Sequence, residues 1–126
     1  MALQEKPYLA SVATQLKERG ISASSLSDDE TLAVAIHFHS EIVDCNQQFF
    51  DLTGYTSDEV IGANAWMFFP PESIKILIEK IQEKSTDPYQ VMAMKRDGEE
   101  YRVEITAQNI PLGGEEARAV LVRAVS

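Results

Sequence analysis

The chain has 126 residues, which is enough for one domain and too few for two of ordinary size. Hydrophobic residues make up 44% and charged residues 25%, a globular mixture that argues against disorder over the whole chain. The formal net charge of −9 would repel nucleic acid, and the one cysteine cannot form an intramolecular disulfide or a cysteine-rich zinc site.

The sequence shows neither a membrane segment nor an export signal. No apolar run approaches the roughly 20 residues of a membrane span. The first residues lack the basic start and apolar stretch of a secretory signal. We therefore expect a cytoplasmic protein that does not bind a membrane.

An amphipathic helix is predicted over residues 4–19, ahead of the main domain. Pro7 suits the first turn of this helix, and Gly20 can end it. One apolar stripe at helical spacing consists of Leu9, Val12, Ala13 and Leu16. The helix and a polar connector fill residues 1–29, and the main domain is expected over residues 30–126.

Five strands are predicted from alternating apolar residues and from the turn signals between them. They cover residues 32–38, 42–45, 89–96, 101–110 and 117–125. Asp97 and Gly98 predict a hairpin with a type I′ turn, and Gly113 with Gly114 predicts the hairpin that follows.

Helical segments are predicted between the second and third strands. Asn46 can cap a helix over residues 47–53, and Thr56 with Glu59 forms a capping box for another turn. A longer helix over residues 71–84 carries an apolar stripe of Ile74, Leu77, Ile78 and Ile81.

This order of elements predicts an α+β fold. It is a five-stranded antiparallel sheet with helices packed on one face, preceded by the N-terminal amphipathic helix. Helices that cross one face of a sheet can enclose a cavity, which is a usual place for a small ligand.

Three segments of the sequence resemble the PAS sensor domain family. They are Ile42 to Gly62, Lys95 to Val103, and Val120 to Arg123. In the first, Asn46 and Phe49 precede the run Thr53-Gly54-Tyr55 with Glu59 and Gly62, similar to the family pattern of Asn, Phe and Thr-Gly-Tyr-Ser-x-x-Glu-x-Ile-Gly. The end of the chain differs, because Ala124-Val125-Ser126 stands where many PAS domains have Asp-Ile-Thr.

The resemblance implies a non-enzymatic sensory or signal-transduction module. Such a module relays its signal to an output or kinase-type domain outside this chain, as in two-component systems. The resemblance also implies a homodimer, and we expect it to form through the helix stripe Leu9, Val12, Ala13 and Leu16.

Cofactor binding can be compared with the light-sensing LOV branch of the family. That branch has the motif Gly-x-Asn-Cys-Arg-Phe-Leu-Gln, whereas residues 62–69 carry Ala65 in place of the reactive cysteine. We therefore expect a non-LOV type. A non-covalent FAD beside Trp66 is an alternative.

A haem or a reactive thiol has weaker support in the sequence. The predicted helix 71–84 has no histidine for a haem iron. His37 and His39 could be metal ligands at i, i+2, but we interpret them as a solvated strand edge near a turn. Cys45 is expected to be a buried, inert thiol.

A small apolar ligand would need a pocket between the sheet and the helices. Its predicted wall consists of Phe49, Asn64, Trp66, Phe68, Met92, Met94 and Tyr101. The alternative is a filled core in a domain that serves only dimerisation and signalling. Two further alternatives are a redox or gas sensor with FAD or haem, and a small enzyme on a related α+β fold. The sequence contains no hydrolase, metalloprotease or phosphate-binding motif that would support the enzyme.

Overall fold

Five strands pair into one antiparallel sheet in the computed structural model, which describes residues 6–29 and 31–125. The strands are β1 (Ala33–Phe38), β2 (Glu41–Cys45), β3 (Tyr89–Met94), β4 (Glu100–Leu112) and β5 (Glu115–Ala124). Their spatial order is β2-β1-β5-β4-β3, so the last strand in the chain lies in the centre of the sheet. The prediction of five antiparallel strands is confirmed.

Helices cover both faces of this sheet. They are α1 (Pro7–Glu18), α2 (Gln47–Thr53), α3 (Ser57–Val60) and α4 (Pro71–Gln82), with 3₁₀ turns at Ala23–Ser25 and Ala65–Phe68. Residues 4 and 5 of the predicted first helix lie outside the described residues. No helix of the described ranges is long and apolar enough to span a membrane.

The two faces of the sheet carry two separate groups of buried side chains. The inner face packs against α2, α3, α4 and the second 3₁₀ turn, and includes Ala33, Ala35, Ile42, Val91, Ala93, Val103, Ile105 and Val122. The outer face packs against α1 and includes Val34, Ile36, Phe38, Val43, Ile110, Leu112, Ala117 and Ala119. Because both faces are covered, every residue of β1 is buried.

Asn46 joins the first strand to the first helix of the inner face. Its Oδ1 accepts hydrogen bonds from the backbone N–H groups of Val34 at 2.9 Å and Phe49 at 3.1 Å. Its Nδ2 donates to the carbonyl oxygen of Leu32 at 3.0 Å. The predicted cap is confirmed, and the same side chain also fixes the start of β1.

The predicted type I′ turn at Asp97 and Gly98 is wrong in type. The N–H of Gly98 donates to the carbonyl oxygen of Lys95 at 2.9 Å, and only Gly98 in this loop has a positive φ, +91°. This is a type I turn followed by a glycine in a bulge. The type I′ geometry occurs instead in the two-residue loop between β1 and β2, where His39 and Ser40 have φ of +49° and +71°.

The apolar stripe of α4 is narrower than predicted. Leu77 is buried in the inner core, and Ile74 and Ile81 are half-buried. Ile78 is 40% exposed, so it lies outside the face that packs on the sheet. Ser73, at 2% exposure, attaches the helix to β3.

Candidate functional site

A small cavity lies between the inner face of the sheet and the helices. Side chains from all five strands, from α2 and from the second 3₁₀ turn form its wall. Its volume is about 30 Å³, the space of about one water molecule. Pockets for drug-sized ligands are larger, roughly 300–1,000 Å³.

Aromatic rings fill most of the space between the helices and the sheet. Phe49 and Phe68 meet edge to face with ring centroids 5.1 Å apart, and Tyr55 meets Phe68 in the same way at 5.3 Å. Such pairs are a favourable arrangement of aromatic quadrupoles. The interior is therefore closer to a filled core than to an open pocket.

Three of the seven predicted pocket residues line the cavity. They are Phe49, Phe68 and Tyr101. Burial raises the pKa of the Tyr101 phenol to about 12, so its hydroxyl stays protonated at neutral pH. The predicted pocket and this cavity therefore share one residue each from α2, the second 3₁₀ turn and β4.

The other four predicted pocket residues lie elsewhere. Asn64 is exposed and caps the 3₁₀ turn, because its Oδ1 accepts from the N–H of Trp66 at 2.9 Å. Trp66 is half-buried beside the inner core but is not part of the cavity wall. Met92 and Met94 alternate with the inward-facing Val91 and Ala93. Both methionines therefore point to the outer face of the sheet.

His37 is a polar residue of the cavity wall whose burial the sequence analysis did not predict. It is 7% exposed, whereas a solvated strand edge was expected. It shares the inner face with Ala33 and Ala35, and the register of β1 against β2 shifts just before it. Its Nδ1 is buried and has no hydrogen-bond partner among the described residues.

Burial decides the charge of His37. Loss of solvent lowers its pKa to about 4, and the positive charges of Arg118 and of protonated His39 add to this effect. The imidazole is therefore neutral at pH 7. His39 is exposed in the β1–β2 loop, so the two histidines do not form a common ligand pair.

The residues present do not fit a flavin or a haem. The cavity is far smaller than either group, and α4 offers no histidine toward it. Within residues 6–29 and 31–125, no group of three or more His, Cys, Asp or Glu side chains could hold a metal ion. Burial, and secondarily the Asp44 charge, raise the pKa of the Cys45 thiol, which keeps it in the less reactive protonated form.

The predicted dimerisation stripe lies against the sheet of its own chain. Leu9, Val12 and Leu16 are at most 4% exposed and pack on the outer face, and Ala13 is half-buried. Arg19, just after the helix, donates from Nη1 to the carbonyl oxygen of Pro111 at 2.6 Å. One chain therefore already covers three of the four residues of the stripe by itself.

Polar contacts hold the other end of α1. Lys6 Nζ bonds to Glu41, at the start of β2, and to the carbonyl oxygen of Gly62 at 2.9 Å. The hydroxyl of Tyr8 also donates to Glu41. The hydrogen bonds from Lys6 and Tyr8 lower the pKa of the Glu41 carboxyl. The helix is thus tied to the loop that leads into the 3₁₀ turn of the cavity wall.

The sequence matches the family described as PAS domain over residues 31–125. The chain therefore belongs to the PAS domain family, whose members are sensory signalling modules and are typically not catalytic. No curated protein sequence matches the chain.

Solved structures share the fold at low sequence identity. A PAS domain from a two-component sensor histidine kinase is 15% identical with a TM-score of 0.67, covering 89% of this chain and 99% of that one. A PAS domain of a LuxR-family transcriptional regulator from Burkholderia thailandensis, in complex with ethanol, is 13% identical with a TM-score of 0.68, covering 83% and 98%. A LOV domain of a blue-light activated histidine kinase from Erythrobacter litoralis is 17% identical with a TM-score of 0.60, covering 75% and 94%.

Proposed function

We propose that this chain is a non-enzymatic PAS signal-transduction module with a filled interior. It passes a signal to an output or kinase-type domain outside this chain through contacts between domains. The observation that carries this proposal is the cavity of about 30 Å³ inside a PAS fold, which leaves no room for a large cofactor. The similarity to a PAS domain of a sensor histidine kinase supports a kinase-type output.

Dimerisation is the second part of the proposal. The module works as a homodimer with α1 at the interface. Because Leu9, Val12 and Leu16 already pack on their own sheet, a partner can meet them only if α1 exchanges between two chains or shifts on the sheet. Ala13, the fourth residue of the stripe, is only half-buried and can contact a second helix without such a change.

A sensor of a small, mostly apolar ligand is the second candidate function. The buried and unpartnered Nδ1 of His37 favours it, since a ligand hydroxyl or N–H group could satisfy this atom. The neighbour in complex with ethanol supports ligands of this size. The proposed setting for either function is the cytoplasm, where a lone thiol such as Cys45 stays reduced.

An absorption spectrum and a mass spectrum of the freshly purified chain test these proposals. A filled interior predicts no visible absorption and no released small molecule after denaturation. A band near about 450 nm for a flavin, or near about 400 nm for a haem, would contradict it. A stoichiometric colourless molecule released on denaturation would favour the ligand sensor instead.

A further inference from the structure

Arg118 is a buried cation on β5 whose hydrogen-bond partners are neutral. Its side chain is 5% exposed. Nη1 donates to Oδ1 of Asn109 at 2.9 Å, and Nη2 donates to the carbonyl oxygen of Ser85 at 2.7 Å. Nε is buried and has no hydrogen-bond partner in the described part of the chain. The side chain of Tyr89 is a further hydrogen-bond partner of the guanidinium, and it is also neutral. At least two of the five N–H groups are therefore used, and Nε–H is not among them.

Five of the other ten basic side chains have carboxylate partners in the described residues, although they are more exposed than Arg118. These ion pairs are Lys6–Glu41, Lys84–Glu116, Lys95–Glu99, Arg96–Glu59 and Arg123–Glu104. No carboxylate among residues 6–29 and 31–125 pairs with Arg118, in a protein with 20 acidic and 11 basic residues. A buried charge is costly unless an opposite charge or full hydrogen bonding compensates it.

A cleft of about 260 Å³ borders Arg118. The β1–β2 loop, the C-terminal end of α4 and the start of β5 form its walls. His37 and Arg118 are directly opposite each other in the β1–β5 register, so their side chains lie side by side on the inner face. The unpartnered Nδ1 of His37 and Nε of Arg118 thus belong to neighbouring side chains that both line this cleft.

Among the charged groups of the cleft wall, Arg118 has no carboxylate partner in the described residues, whereas exposed His39 has Glu115 at 3.9 Å. Lys84 Nζ lies 2.6 Å from Oε1 of Glu116, so these two charges balance each other. His37 is neutral at pH 7. The charge of Arg118 remains, and a monoanion would neutralise it whereas a dianion would leave an excess negative charge.

We propose that this cleft is a binding site for a small monocarboxylate with a short apolar tail, anchored by the guanidinium of Arg118. A carboxylate can accept two parallel hydrogen bonds from Nε–H and a free Nη–H, the arrangement that guanidinium geometry favours. A neutral His37 can carry its proton on Nδ1 and donate a third hydrogen bond. Ile81 and Ala117 give the cleft an apolar surface for the tail.

The rim of the cleft can open without unfolding the domain. The side chain of Lys84 is 69% exposed and that of Glu116 is 39% exposed, so both can move into solvent. The proposed site requires this movement to give a ligand access to the edge of the guanidinium, because Nε is buried in the closed cleft. The proposed site shares His37 with the wall of the cavity discussed under the proposed function, but its anchor Arg118 does not line that cavity. The carboxylate site therefore does not depend on that function.

A titration of ¹⁵N-labelled protein with sodium propionate tests this site directly. The signal to follow is the Nε–H resonance of Arg118, at pH 7 and constant ionic strength. We expect a saturable shift with a dissociation constant of about 1 mM or tighter. Propionamide, which has the same shape without the charge, should produce no saturable shift, and neither should sodium chloride.

Two variants separate Arg118 from other arginines. Arg118→Lys keeps the charge but loses the paired donors, so propionate affinity should fall about tenfold or more. Arg123→Lys changes an exposed arginine paired with Glu104 and should leave the affinity unchanged. The Nε–H resonance of Arg118 can be assigned in the wild-type chain through the carbons of the same side chain. The titration therefore tests propionate binding at Arg118 even if Arg118→Lys fails to fold.

Several results would overturn the proposal. They are the absence of a saturable propionate shift, an equal shift with propionamide, and unchanged affinity in a folded Arg118→Lys variant. Tighter binding of inorganic phosphate than of propionate would overturn the choice of a carboxylate. If Arg118 serves only to fix the segment after α4 through Ser85, propionate will not change the chemical shift of its Nε–H group.

Discussion

The hydroxyl of Ser73 donates a hydrogen bond to the carbonyl oxygen of Met92 at 2.7 Å. Ser73 lies in the first turn of α4, and Met92 lies on the edge strand β3. This contact joins the longest helix of the inner face to the free edge of the sheet. It also satisfies a carbonyl group that would otherwise face the helix.

Replacement of Ser73 by alanine should destabilise the domain by about 1–2 kcal/mol, because a half-buried carbonyl loses its partner. Chemical denaturation measures the change. Ser24→Ala, at an exposed position in the connector, is the matched control and should change stability by less than about 0.5 kcal/mol. Equal stability of the two variants would show that the Ser73 hydrogen bond contributes nothing measurable.

The loop between β1 and β2 should gain stability from glycine. Ser40 has φ of +71°, a conformation that a residue with a Cβ atom adopts at a cost of about 1 kcal/mol. Ser40→Gly should therefore increase the free energy of unfolding by up to about 1 kcal/mol, measured by thermal denaturation. The gain is reduced because glycine also raises the conformational entropy of the unfolded chain. The backbone contact from Ala65 N–H to the Ser40 carbonyl is retained.

The β4–β5 loop provides the reverse experiment. Gly114 has φ of +102°, with no heavy atom within 4 Å of the position of a Cβ atom. Gly114→Ser should therefore destabilise the chain through backbone strain alone. If Ser40→Gly and Gly114→Ser change stability in the same direction, the strain assigned to the β1–β2 loop is wrong.

Gly98→Val should destabilise the domain by about 1–3 kcal/mol. The reason is the φ of +91° at Gly98 in the bulge that follows the type I turn. A β-branched residue resists this conformation, although space for a side chain is available. Urea denaturation measures the effect, and an unchanged midpoint would contradict the turn geometry described for this loop.

The stability of the fold should depend on pH through His37. Its folded-state pKa is lowered from 6.5 to about 4, so the unfolded chain binds the proton first as the pH falls. The contribution of neutral His37 is therefore fully present above about pH 6.5 and is lost as the pH falls toward 4, by up to about 3 kcal/mol. Denaturation midpoints between pH 7 and pH 4 measure it.

An NMR titration gives the direct value for His37. Its imidazole resonances should show a midpoint near pH 4, or should not titrate before acid unfolding. His39→Gln, which changes an exposed histidine, should preserve the pH dependence, whereas His37→Gln should flatten it. A midpoint for His37 near 6.5 would mean that water reaches this side chain.

The proposed dimer can be tested by sedimentation. The full chain should run as a dimer at tens of micromolar. Leu9→Glu with Leu16→Glu should abolish the dimer and also weaken the fold, because both leucines are buried on the outer face. Ser11→Glu, on the exposed side of α1, controls for added charge. A full chain that sediments as a monomer would contradict the proposed homodimer.

Local signals in the sequence predicted most of the fold. The capping box of Thr56 and Glu59 and the cap at Asn46 are present as expected, because each depends on residues only a few positions apart. The position of α1 could not be predicted in the same way. Its stripe specifies an apolar contact but not whether the sheet of the same chain or a second chain provides it.

Met92 and Met94 were assigned to the wrong face of the sheet because the sequence of β3 does not show clearly which of its two sides faces inward. Both sides of this strand are apolar, with Val91 and Ala93 on one side and Met92 and Met94 on the other. Gln90, which shares the side of the methionines and is exposed, was the signal that this side faces outward. Hydrophobicity alone favoured the larger side chains for the interior, and the smaller ones in fact lie beside the aromatic rings.

The polar residues of the inner face were missed for a different reason. His37 continues the alternation of Ala33 and Ala35, and Arg118 continues that of Val120 and Val122. The alternation alone indicates that both residues face inward, but the usual preference of such side chains for solvent favoured the outside. Only the pairing of β1 with β5, a contact between distant parts of the chain, shows that these two residues are neighbours.

The central position of β5 has a consequence for how the chain is made. On the ribosome, β1 with β2 and β3 with β4 emerge as two separate hairpins, and isolated hairpins are marginally stable in water. The strand that joins them is synthesised after both hairpins, and its Ala117 and Ala119 also form part of the surface on which α1 rests. The nascent chain therefore exposes two unpaired sheet edges and an uncovered apolar helix until β5 leaves the exit tunnel. We expect the domain to fold only after β5 has left the tunnel, with chaperone contact concentrated in the interval before that point.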